Sequence, residues 1–74
     1  MRYRFRFLID DEDIAEFETD ANPPGIGDEV VIGPNFIIPE KESLSHNTFV
    51  VNNLLHVFND PASTLVEISL EVLD

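Results

Sequence analysis

Seventy-four residues, no cysteine and a net charge of −11 exclude several classes at once. The length allows one small domain, residues 1–74, near the lower limit for a core without staples; neither a disulfide framework nor a thiolate metal site can form. So acidic a chain also repels phosphate backbones, which excludes ordinary nucleic-acid binding.

With 43% apolar residues and six phenylalanines, the chain has enough side chain to bury and should fold rather than stay disordered. No apolar run approaches the roughly 20 residues of a membrane helix, and no basic-then-apolar signal is present. The expectation is a soluble cytoplasmic protein with no membrane partner.

The stretch RYRFRFLID, residues 2–10, holds three of the four basic residues. Tyr3, Phe5, Phe7 and Ile9 alternate there with Arg2, Arg4, Arg6 and Leu8, the period of a half-buried strand over 2–9. IAEFET continues the pattern after the acids Asp10–Asp13, and a hairpin with a loop at 11–13 would set Phe7 against Phe17. ANPPGIG then breaks regular structure with prolines and glycines before the β-branched run Val30, Val31, Ile32, which predicts a third strand at about 28–33.

PNFIIPEKESLSHN, residues 34–47, reads as a long loop holding either a brief extended piece or a single helical turn at 40–45. TFVVNNLLHVF, residues 48–58, predicts a fourth strand bent or bulged at Asn52–Asn53. Asp60–Pro61 suits a type I turn, and Thr64–Leu73 alternates Val66, Ile68, Leu70 and Val72 against Glu67, Ser69 and Glu71. Five strands with short turns predict an all-β domain that closes into a small open barrel to protect its edges.

If the first and last strands pair antiparallel, Phe5 meets Ile68, Arg2 meets Glu71 and Arg6 meets Glu67, so a basic row faces an acidic one. The arginines then serve strand pairing rather than binding. With these elements in place, PPGIGDEVVIG followed by TFVVNNLLHVF and LVEISLEVL resembles the small SH3-like β-barrel proteins of bacteria. The matching residues are Pro24, Gly27, Asp28 and Val30, then Phe49, Val51 and His56. The resemblance implies a five-stranded SH3-like open barrel and no particular activity.

No residues assemble into a catalytic or metal pattern. Asp10–Asp13 lack the spacing and glycine of a calcium loop, and His46 and His56 have no metal-ligand spacing. Ser43, Ser45 and His46 share a loop too small to pre-organise a nucleophile. PPGIGDE has no following helix with which to cradle phosphate, so Gly25 and Gly27 read as turn residues.

A constant register in the last hairpin would send Leu55 and Val57 inward and leave Leu54, His56 and Phe58 outside. Leu8, Leu54, Phe58 and Leu65 then form an outer apolar strip, which Phe36, Ile37 and Ile38 of the long loop could cover or which a partner could use. The reading is a non-enzymatic interaction module without cofactors, whose partner is an unknown protein or a second copy. The alternatives are an acidic decoy that imitates DNA before a basic nucleic-acid-binding protein, and an accessory subunit of an enzyme.

Overall fold

Two aspartates make the first turn of the chain. Asp10 and Asp11 have φ of 51° and 66°, the left-handed pair required by a two-residue type I′ hairpin, whose twist matches that of its strands. In the computed structural model, which describes residues 2–60 and 63–73, this turn joins β1 (Tyr3–Ile9) to β2 (Glu12–Thr19). It is tighter than the expected loop at 11–13, so Phe5 rather than Phe7 stands opposite Phe17. Between Ala15, opposite Phe7, and Asp13, opposite Leu8, Ile14 is an extra residue in β2. This bulge lets Ile14 and Ala15, neighbours in sequence, both reach the interior at 1% exposure.

β3 is only Glu29–Val30, shorter than the expected 28–33, and is followed by β4 (Phe49–Asp60) and β5 (Ser63–Val72). The five strands form one sheet in the order β2-β1-β5-β4-β3, curled into a half-barrel. The all-β open barrel read from the sequence is therefore the fold. The direction of its central pair is not as expected.

β1 and β5 are neighbours but run parallel, with Tyr3 opposite Thr64, Phe5 opposite Val66 and Phe7 opposite Ile68. Period-two alternation decides which face a side chain takes and carries no information about strand direction. Arg6 also stands opposite Glu67 in the observed register, as it would in the antiparallel one, so that charge match fits either. The other expected matches are absent: Arg4 faces Leu65 on β5. A parallel neighbour requires a long crossover, and residues 10–62 supply it.

The arginine row finds its acids chiefly on β2. Arg2 lies 3.5 Å from Glu18 and 3.1 Å from Asp20, Arg4 lies 2.6 Å from Glu16, and Arg6 lies 3.2 Å from Glu16 and 3.3 Å from Glu67. Hydrogen bonding from Arg4, and then from Arg6, holds the Glu16 carboxyl below its usual range, while the bond to Glu16 raises the Arg6 guanidinium. The fourth basic residue, Lys41, is 3.4 Å from Glu12. Every Lys and Arg of the chain thus has a carboxylate partner.

β4 bends where expected. Val51 faces Leu70, the next pair is Asn53 with Ser69, and Asn52 is extra. That added residue reverses the side chains from Asn53 to Val57, where a second irregularity follows. Leu54 turns inward opposite Ile68 and packs on the core, and Leu55 turns outward opposite Glu67 at 54% exposure. The expected inward placing of Leu55 and outward placing of Leu54 is corrected accordingly. The Asp60–Pro61 turn falls partly outside the described residues.

The inner face of the sheet carries Phe5, Phe7, Phe49, Val51, Val66, Ile68 and Leu70, all buried. Chain segment 31–38 crosses this face from one sheet edge to the other. It leaves β3, which pairs with β4, and reaches β2 through an Ala15–Ile37 bridge and a 2.9 Å bond donated by Ile38 N to Ile14 O. Ile32 and Ile37 are buried beneath it at 4% and 6% exposure. Residues 36–38 therefore cover the inner face and not the outer strip expected of them. The segment ends in a 3₁₀ stretch, Pro39–His46, broken at Lys41, where φ is −115°; it contains the helical turn read at 40–45.

Candidate functional site

The crossing segment does not lie flat on the sheet. Gly33 O accepts a 3.0 Å hydrogen bond from Phe36 N, closing a turn in which Pro34 takes the position where its fixed φ is favoured. The turn brings Phe36 back over β2, with its ring 4.7 Å from that of Phe17. Upstream, Gly25 O accepts from Asp28 N at 3.0 Å and Gly27 has φ +92°, the geometry of a type II turn that needs glycine third. Asp28 Oδ2 also accepts from Gly25 N at 2.7 Å. The reading of Gly25 and Gly27 as turn residues holds.

Between these two turns and the β1–β2 hairpin opens a groove of about 510 Å³. Its floor is the aromatic cluster Phe5, Phe7 and Phe17, with ring centroids 5.8 to 6.1 Å apart. One wall is Val30–Gly33 with Phe36; Thr19, Asn22 and Glu29 supply the polar rim. Val31 and Phe36 are 67% and 53% exposed although both are large and apolar. The volume falls in the range of about 300–1,000 Å³ typical of ligand sites, which are apolar with few polar groups.

The chain matches no known family, curated protein or solved structure in comparison.

The chemistry of the groove is that of a receptor for apolar groups. Among the described residues no histidine, serine, lysine or arginine lines it, and the one ionisable side chain in its lining is Glu29. Among the described residues no group of three or more His, Asp and Glu is arranged to hold a metal ion. Ser43, Ser45 and His46 lie on the 3₁₀ stretch, away from the groove lining, and no hydrogen bond joins them among the described residues.

Of the interface residues read from the sequence, only Phe36 reaches the groove. Ile37 is in the core, Leu54 packs against the core, and Leu8 lies opposite Ser69 on the outer face. Leu65 pairs with Val57 on that face, beside the exposed Leu55, so Leu8 and Leu65 keep the outer placing expected of them, Leu55 and Val57 join them, and Leu54 does not. Phe58 is 79% exposed and its ring lies 6.3 Å from His56. Sequence reasoning missed Phe17, Glu29 and Val31 as site residues. The available signal was the pair of turn motifs, PPGIGD and GPNF, bracketing a β-branched run too short to serve as a central strand.

Proposed function

We propose that this chain is a non-enzymatic protein-interaction module that takes apolar side chains of a partner into the groove walled by Phe17, Phe36 and Val31. The observation that carries this reading is the apolar groove with two large, exposed apolar residues on its lip. Burying such a patch against a partner is the usual reason for tolerating it. The resemblance to small bacterial SH3-like barrels supports the class of protein only. The absence of cysteine supports a reducing, cytoplasmic setting, and no helix among the described residues is long and apolar enough to cross a membrane.

The decoy reading is weaker. A phosphate mimic gains from uniform negative potential, whereas Arg2, Arg4 and Arg6 sit within the acidic face of β2. A decoy complex would also fall apart steeply with salt, unlike an apolar one.

Selection of phage-displayed random dodecapeptides on the purified protein tests the proposal. Enriched peptides should lose binding to Phe36→Ser and Val31→Ser while retaining it for Leu55→Ser on the outer face. Both lip residues are more than half exposed, so these variants should stay folded, which far-UV circular dichroism checks. Peptides lost with Leu55→Ser and indifferent to Phe36→Ser would move the interface to the outer strip, and no enrichment would end the proposal.

A further inference from the structure

The groove runs along an open sheet edge. We propose that its occupant is an extended segment of a basic partner protein that adds to β2 as a sixth strand, alternating apolar residues into the groove with cationic residues on the outer side. This inference rests on the interaction-module reading and adds the mode and chemistry of binding.

The direction of the peptide groups carries the first step. Thr64 N donates to Arg2 O at 3.5 Å, so the even-numbered residues of β1 turn their peptide groups towards β5. Its odd-numbered residues must then bond to β2, and Phe5 faces Phe17 and Tyr3 faces Thr19 there. Alternation leaves the N–H and C=O of Glu18 pointing away from β1. Ile38 occupies the edge at Ile14, the Ala15–Ile37 bridge follows, and beyond it Phe17–Thr19 make no outward backbone hydrogen bond among the described residues. Glu18 therefore offers the donor and acceptor pair that an added strand uses.

The side chains carry the second step. Residues of an added strand opposite Phe17 and Thr19 would point with them into the groove, where apolar groups fit. The residue opposite Glu18, and alternate ones beyond it, would point to the outer face, beside a carboxylate row that β1 already meets with arginines. An added strand with lysine or arginine at those positions repeats that match, since opposite charges across strands are favourable. It also meets a chain of net charge −11 whose own cations are all engaged.

A second copy is the poorer occupant. At the β2 edge, pairing of β2 with β2 sets glutamates near glutamates, which opposes association there. The acidic row thus disfavours a second β2 at this edge while admitting a basic strand.

The probe is an amidated heptapeptide alternating valine with arginine and carrying an N-terminal fluorescein, titrated against the intact protein by fluorescence anisotropy. It should bind more tightly than a peptide of the same composition in block order. N-methylation should weaken it about tenfold at the residue that donates to Glu18 and not at that residue's neighbours, the loss of one backbone hydrogen bond. The Glu18 amide should gain protection from hydrogen exchange, and Glu18→Arg should shift preference towards a valine–glutamate peptide. Equal binding of the block peptide, or equal N-methyl effects at the donating residue and its neighbours, would overturn the strand mode. If library-selected peptides still depend on Phe36, the strand mode alone has failed; if no peptide of either kind binds, the interaction-module reading has failed with it.

Discussion

Arg6 Nη1 lies 3.3 Å from Glu67 Oε2 and so ties the two central strands of the sheet together. The same guanidinium is 3.2 Å from Glu16 and 3.9 Å from Asp13 on β2, so it serves three strands with one charge. Arg6→Ala removes the cation that Asp13, Glu16 and Glu67 share, leaving Glu16 with Arg4 alone, and is expected to lower stability by about 1–2 kcal/mol, roughly 4–16 °C in Tm. Exchanging Arg6 and Glu67 should not restore it, because a glutamate at position 6 would meet Glu16 and Asp13. Full recovery in a thermal melt of the exchanged pair would show that β2 does not share the arginine.

Glu16 gives the acid limb of stability. Its carboxyl is lower in the folded chain than when free, because Arg4 and Arg6 hydrogen-bond to the charged form. A depressed carboxyl contributes stability that is complete above its unfolded value, about 4.3, and is lost as pH falls through the folded one. The stability gap between the wild type and Glu16→Gln, measured by urea melts, should therefore be largest near pH 7 and close towards pH 3. A gap that stays constant would mean that the carboxylate charge contributes nothing.

Salt should raise the melting temperature. Screening weakens each exposed ion pair, but it weakens self-repulsion within a chain of net charge −11 by more. The Debye length shortens from about 30 Å at 0.01 M to about 10 Å at 0.1 M salt, which relieves the longer-range repulsion first. Calorimetry over this range that showed a falling Tm would place the ion-pair network above the net charge.

Gly27 should tolerate only a mirror-image side chain. With φ at +92° and open space where a Cβ would stand, Gly27→Ala meets backbone strain and no clash, expected to cost about 1–2 kcal/mol. Replacement by D-alanine in a chemically synthesised chain should match or exceed the wild type. Equal denaturation midpoints for the two enantiomers would remove the type II turn as the cause.

Adjacent leucines should differ sharply. Leu54→Asp would place a charge against the core and is expected to cost about 2–4 kcal/mol, whereas Leu55→Asp should stay within roughly 0.5 kcal/mol. The reverse ranking in urea melts would move the β4 bulge.

Much of the architecture was legible in the chain. Alternation in Tyr3–Ile9 and Val66–Leu70 marked the inward set correctly, and Asn52–Asn53 marked the bulge. What failed was whatever alternation does not encode. Direction was one such case, since Arg6 meets Glu67 whichever way β5 runs. The consequence of the bulge was another: one inserted residue exchanged the fates of Leu54 and Leu55, and a constant register could not show it. The groove was the least legible feature, because its wall is an irregular segment held only by two turns, the Ile37 bridge and the bond from Ile38. Its placement depends on distant contacts with Ile14, Ala15 and Phe17, which no local pattern in GPNFII announces.

Placing β5 between β1 and β4 makes the last of these five strands in the chain the one that joins the two halves. Without it, the first hairpin and the β3–β4 pair share no ladder, and the long fourth strand presents Phe49 and Val51 to whatever is near. The five-stranded sheet therefore closes only once β5 is present, and truncation within β5 is expected to abolish the sheet rather than trim it.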